Sequence, residues 1–293
     1  MALNFGTSGA TALYFGTQSA SKAYLGTTLV FGNDIDYAKE YFTLEILSGG
    51  TISWNITGNR DGLAPLVYYS FDEVNWTPMA TSGETVFNVN VGDKVRFRGD
   101  NTAIATRDYD SSRFSNSTAH FNAYGNIMSF INSTNFEGTN LTGYADWKGL
   151  FRYAKIHSAK NLIVPSVCST QFTFRSTFAN CDYLTEAPDS FSAITKLLAY
   201  SFLNTFTDST AITAITLPSA DANYTRVYDS TFSGCTNLSY VKCLTTNINA
   251  SQATSNWMTG VAANGTFVKN ANMTSWTTGN HGIPSGWTVI DYV

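Results

Sequence analysis

A repeat constrains this chain more than any other feature. Phe174-Arg-Ser-Thr-Phe178-Ala-Asn-Cys181-Asp-Tyr-Leu184 and Tyr228-Asp-Ser-Thr-Phe232-Ser-Gly-Cys235-Thr-Asn-Leu238 match at the aromatics, the cysteine and the leucine. Tyr200-Ser-Phe202-Leu-Asn-Thr-Phe206-Thr-Asp208 is a degenerate copy between them, and Leu150-Phe151-Arg-Tyr-Ala154 an earlier one. The marker phenylalanines 151, 178, 206 and 232 are spaced by 27, 28 and 26 residues. A unit this short cannot bury its own apolar side, so successive units must stack into a solenoid with a shared core. Two aromatics at i and i+4 in each unit predict a short helical turn, followed by a polar corner and an apolar strand. The expected strands are Leu184-Thr-Glu-Ala187, Ile212–Leu217, Leu238–Cys243 and a last rung at Gly265-Thr-Phe267-Val268. Stacking puts Cys181 and Cys235 in one interior column, which Ala154 and Asp208 are expected to fill in the degenerate copies. Two rungs of about 5 Å each exceed the Cα separation a disulfide tolerates, so the thiols read as packing groups.

Upstream the pattern changes. Residues from about 37 to 110 alternate apolar and polar positions, the mark of half-buried strands: Phe42, Leu44 and Ile46; Ile52, Trp54 and Ile56; Phe87, Val89 and Val91; then Val95 and Phe97 beyond the turn at Gly92. Tyr69 to Thr77 reads as a hairpin. Short strands broken by Gly, Asn and Asp predict a small antiparallel β-sandwich. Residues 1–36 carry a third pattern, with Gly6, Gly16 and Gly26 ten residues apart, each preceded by apolar or aromatic residues and followed by Thr. These units read as short strands ended by glycine turns. Phe5, Tyr14, Phe15, Tyr24, Leu25 and Phe31 give this ribbon an apolar side that needs a covering surface, so they are the candidate anchoring or oligomer contacts. The expected architecture is mainly β with short helices: an N-terminal repeat segment 1–36, an antiparallel β-sandwich 37–110, and a leucine-rich-repeat-like solenoid 111–293 with a C-terminal cap.

Composition excludes several functions. Lys and Arg number 17 and Asp and Glu 21, so charged residues make up 13% of the chain, about half the roughly 25% of an ordinary soluble domain. A net charge of −4 with no basic patch argues against nucleic acid as a partner. Thr, Asn and Ser interrupt every hydrophobic run before the roughly 20 apolar residues a membrane helix needs. The start, MALNFGTSGA, has neither the basic nor the apolar region of a secretory signal. Cys168, Cys181, Cys235 and Cys243 include no C-x-x-C pair and His120, His157 and His281 are scattered, so no metal or other cofactor is expected. Nucleophile elbows, phosphate loops and His-Glu-x-x-His are absent. Two carboxylate pairs, Asp108 with Asp110 and Glu186 with Asp189, are the nominees for glycoside cleavage; carboxylates in polar turns are more often solvated or capping groups, and the expectation is no enzyme. Binding suits the pattern better, because a solenoid displays the residues that alternate with its buried ones. With Val241 and Cys243 pointing inward, Tyr240 and Lys242 face out, and Thr216 takes the equivalent place one unit earlier. These three are the candidate binding residues, with a sugar as a fitting ligand for an aromatic beside hydrogen-bonding groups.

The repeats resemble the BspA-like leucine-rich repeats of gut Bacteroidetes and their phages, through Phe178-Ala-Asn-Cys181-Asp-Tyr-Leu184 and Phe232-Ser-Gly-Cys235-Thr-Asn-Leu238. The resemblance extends to Tyr124-Gly-Asn-Ile-Met-Ser as an entry segment, to Gly265-Thr-Phe-Val-Lys269 with Gly282-Ile-Pro-Ser-Gly-Trp287 as a cap, and to Val91–Gly99 as the preceding sandwich. The Phe-Gly-Thr and Leu-Gly-Thr units resemble short repeats at the start of tail or fibre proteins of such phages, including crAss-like ones. This resemblance implies a non-enzymatic virion protein, a head or tail fibre, held through residues 1–36 to other virion proteins and sister subunits. It also implies a homo-oligomer, a trimer or dimer, that meets a glycan or protein of the host surface. A bacterial surface adhesin and a capsule-degrading spike are the alternatives.

Overall fold

The computed structural model describes residues 35–57, 64–105, 111–137, 147–248, 252–274, 276–279 and 281–292, together with the backbone of four short strands between residues 13 and 31. The chain is mainly β and forms two compact units, Met1–Asp36 and Tyr37–Val293. In the first, β1 (Leu13–Phe15) pairs antiparallel with β2 (Gln18–Ala20), and β3 (Ala23–Leu25) with β4 (Thr28–Phe31). The expected contact residues Tyr14, Phe15, Tyr24, Leu25 and Phe31 are on these strands; Phe5 lies outside the described residues.

The second unit begins as a sandwich. Its strands are β5 (Phe42–Ser48), β6 (Gly50–Thr57), β7 (Val67–Ser70), β8 (Thr77–Pro78), β9 (Gly83–Val89), β10 (Lys94–Gly99), β11 (Ser111–Arg113), β12 (His120–Asn126) and β13 (Leu162–Ile163). One sheet runs β13-β12-β5-β10-β7-β8 and the other β11-β6-β9. The alternating residues Phe42, Leu44, Trp54, Val95 and Phe97 are fully buried, as the period-2 pattern requires. Residues 111–126, assigned from sequence to the repeat region, instead complete this sandwich: β11 pairs with β6, and β12 runs beside β5. Their alternation, with Phe121 and Ala123 buried between less buried neighbours, is a strand signal that a boundary drawn at 110 cuts through.

From Trp147 onward the chain stacks in rungs, and the phenylalanines form its axis. The rings of Phe151, Phe178, Phe206 and Phe232 follow one another at 5.2, 5.4 and 5.8 Å, nearly parallel. Phe151 also stacks on Phe114 of the sandwich at 6.0 Å, so both regions share one hydrophobic core. The flank that carries these rings is not the helical turn that the i, i+4 spacing predicts. Within 172–180, Arg175, Thr177 and Ala179 donate their N–H to the carbonyls of Phe172, Phe174 and Ser176, making consecutive tight turns. The alternate N–H groups of Phe174, Ser176, Phe178 and Asn180 donate across to Ser201, Leu203, Thr205 and Thr207 of the next rung, at 2.8–2.9 Å. The same four-bond pattern recurs at 147–153, 202–208 and 228–234. Every fourth residue takes a left-handed conformation, as at Ser176 (φ 54°), Asn180 (φ 58°) and Gly234 (φ 78°). A helix this short is marginal alone, whereas the turn ribbon keeps the i, i+4 aromatics inward and gives half its N–H groups to a neighbour. Asn, Asp and Gly tolerate the left-handed region best, which accounts for part of their abundance.

Side chains close the same interfaces. Thr177, Thr205 and Thr231 are buried and donate to the carbonyls of Trp147, Phe174 and Phe202 in the preceding rung, at 2.8–2.9 Å. Cys181 and Cys235 donate their thiols to Phe151 and Phe206, and Ser209 donates to Phe178 between them. The interior column is therefore Ala154, Cys181, Ser209, Cys235. Asp208, expected there, sits one residue earlier in register, at the left-handed position that Gly234 fills in the next rung. All four cysteines are buried and none is in a disulfide, and burial raises Cys235 and Cys243 to about 12.

The opposite flank carries the strands. Parallel β14 (Ala214–Thr216), β15 (Tyr240–Cys243), β16 (Gly265–Asn270) and β17 (Trp287–Tyr292) form one sheet in that order. Further back the pairing shrinks to the two-residue ladder of β13 with β12 and to single bridges, such as Phe121 with Ile156 and Ser158 with Glu186. The expected strand Leu184–Ala187 is reduced to one of these bridges.

Candidate functional site

The two flanks differ at one level of the stack. On the turn flank Phe174, Ser176, Phe178 and Asn180 bond across to the rung of Phe206 without interruption. On the strand flank, among the described residues, no backbone hydrogen bond joins residues 184–189 to residues 212–217. Thr185 and Glu186 spend their ladder groups backward, on His157 and Ala159. Pro188 has no N–H to give, and a 3-10 turn at Asp189–Ala193 leads the chain away. On the other side, Thr213 and Leu217 bond β15, so the intervening amides of Ala214 and Thr216 point to the open edge.

A groove of about 610 Å³ occupies this break, inside the range of small-ligand sites. Its near wall carries Lys160, Thr185, Glu186, Asp189 and Ser192; its far wall carries Thr213, Ala214, Thr216 and Tyr240. Equivalent outward positions along the stack are Ser158, Glu186, Ala214 and Tyr240, and the small side chain of Ala214 is what leaves space between the larger neighbours. Glu186 is held in place: Ser158 Oγ donates to its carboxylate at 2.7 Å and Lys160 Nζ lies 3.8 Å away. Tyr240 stands 37% exposed at the rim.

The three candidate binding residues therefore divide. Tyr240 and Thr216 line the groove, whereas Lys242 does not; its ammonium lies 3.9 Å from the ring centre of Tyr292, a cation–π contact. Val241 and Cys243 are fully buried, in keeping with the alternation. Of the carboxylate nominees, Glu186 and Asp189 border the groove, and Asp108 and Asp110 lie outside the described residues. The break itself had one weak sequence signal, Pro188 directly after an apolar strand pattern.

A second cluster was invisible in the sequence. His120, on β12, and His157, on the first rung, place Nδ1 and Nε2 2.8 Å apart, so one ring donates to the other. Tyr183 of the next rung meets His120 edge-on at 4.6 Å and stacks on His157 at 5.2 Å. Burial lowers the pKa of both, and for His120 the charges of His157 and Lys155 lower it further. Among the described residues no cluster of three or more His, Cys, Asp or Glu is placed to hold a metal ion, and no helix is long and apolar enough to cross a membrane.

No protein-family model, no curated protein and no solved structure matches the chain.

Proposed function

We propose that this chain is a non-enzymatic structural protein of a phage virion, a head or tail fibre, that adheres to a host surface through the strand flank of its repeat stack. The groove carries the adhesive part of this reading: it is open to solvent, is lined by hydroxyls, carboxylates and an exposed tyrosine, and contains two of the three residues singled out for binding. The virion part rests on the resemblance of the repeats and of the N-terminal Gly-Thr units. In this reading residues 1–36, a compact unit of their own, engage other virion proteins or sister subunits in a dimer or trimer. Particles assembled with a chain lacking residues 1–36 are expected to lose the protein, measured by mass spectrometry of purified virions; normal incorporation would overturn the anchoring.

Glu186 and Asp189 on one groove favour the capsule-degrading spike as the second reading. It requires release of reducing ends from host polysaccharide, abolished by Glu186→Gln. Without such release the adhesive reading stands.

A further inference from the structure

We infer that the break in the strand ladder is a carbohydrate site that takes a neutral pyranose ring, seated over Ala214 between Tyr240 and the Glu186–Lys160 pair. This deepens the adhesive reading and shares its premise that the strand flank is a contact surface. Glu186 and Tyr240 occupy equivalent outward positions two rungs apart; two paired steps would span roughly 10 Å, and the unpaired step between Glu186 and Ala214 makes this a minimum. Ala214 between them has no side chain beyond its β-carbon, leaving room for one flat ring between the carboxylate and the tyrosine.

The functional groups match a polyol. Carboxylates accept hydrogen bonds only, and Glu186 accepts from Ser158 Oγ at 2.7 Å, which orients it and lowers the cost of ordering it on binding. Asp189 adds a second acceptor, and the hydroxyls of Thr213 and Thr216 can both donate and accept, while those of Thr185 and Ser192, which already donate to the carbonyls of His157 and Asp189, add acceptors. The outward amides of Ala214 and Thr216 add donors and acceptors in fixed directions. A pyranose presents hydroxyls around its edge and C–H groups on its faces, and Tyr240 supplies an aromatic surface for a face. Charge selects among sugars: two carboxylates against one lysine, itself paired, disfavour uronic acids and other anionic residues. A peptide added as a strand fits less well, because β14 is three residues long and offers outward amides at only two of them, too few for a strand-addition ladder.

Saturation-transfer NMR on the full chain tests this, using methyl glucopyranoside, methyl galactopyranoside and methyl glucuronide as probes. Ala214 is exposed, so Ala214→Trp fills the groove without entering the core, and an unchanged thermal melt verifies it. The expected result is transfer to at least one neutral glycoside, loss of transfer in Ala214→Trp, weakening of at least about tenfold in Tyr240→Ala, and weaker transfer to the glucuronide. Absence of transfer to both neutral glycosides, or transfer unaffected by Ala214→Trp, overturns the proposal. Adhesion of the chain to host cells is read in parallel. Adhesion that Ala214→Trp leaves intact removes the sugar site and keeps the adhesive function; glycoside binding without adhesion does the reverse.

Discussion

The two flanks of the repeat stack belong to the same units in the same order, yet one is continuous and the other is interrupted. On the turn flank each rung gives at least four backbone N–H groups to the next, from Trp147 to Gly234, and buried Thr, Ser and Cys side chains add further bonds between the rungs of Phe151, Phe178, Phe206 and Phe232. On the strand flank pairing runs from β17 back to β14, stops, and resumes as isolated bridges and the short ladder of β13 with β12. Continuity on one side is what makes a gap affordable on the other, since the rungs around the break stay registered through Phe178 and Phe206, whose rings lie 5.4 Å apart. The stack thus separates its two tasks, with cohesion along the aromatic column and a ligand-sized opening along the strands.

The largest effect should come from attacking the cohesive side. Phe206→Ala empties a fully buried position in the middle of the column and is expected to destabilise by about 3–5 kcal/mol, seen as a lowered denaturation midpoint. In the same series, Thr205→Val removes the hydroxyl that donates to Phe174 at 2.8 Å and should cost about 1 kcal/mol. Thr213→Val on the exposed groove wall should stay within about 0.5 kcal/mol of the parent. Equal costs for Thr205→Val and Thr213→Val would erase the distinction between the flanks.

A smaller effect is expected where the strand flank meets the sandwich. The pKa values of His120 and His157 are depressed in the folded chain, so the neutral pair is the one the fold favours. Stability is then full above the ordinary histidine value of about 6.5 and is lost as the pH falls from there through the depressed folded values. Thermal melts across that window should show a decline that His157→Gln reduces. A flat profile in the parent would mean that protonation leaves this contact undisturbed.

The cohesive side was largely legible in the sequence. Phe151, Phe178, Phe206 and Phe232 declare the repeat through their spacing, and they form the stacked column because near-equal spacing with the same inward chemistry leaves few other ways to bury four rings. What the spacing does not specify is how the backbone delivers it. A helix and a ribbon of left-handed turns both place i and i+4 on one side, and the choice depends on bonds to a rung 27 residues away, which no local pattern reports. The register of Asp208 is hidden from the sequence for the same reason, because only the inter-rung bonds distinguish it from Ser209 as the neighbour of Cys181. The site was half legible. Alternation along 240–243 exposes Tyr240 and buries Val241, but Glu186 and Lys160 join it only through the stacking, and Lys242 is drawn aside by Tyr292, fifty residues further along the chain.

Amide hydrogen exchange tests the division of the stack most directly. The amides of Phe178 and Phe206, bonded into the next rung at 2.8 and 2.9 Å, should exchange only with global unfolding. Those of Ala214 and Thr216, which face the groove, should exchange orders of magnitude faster and slow when a neutral glycoside fills it. Protection of Ala214 and Thr216 equal to that of Phe178 and Phe206 in the free chain would contradict the broken ladder on which the binding site depends.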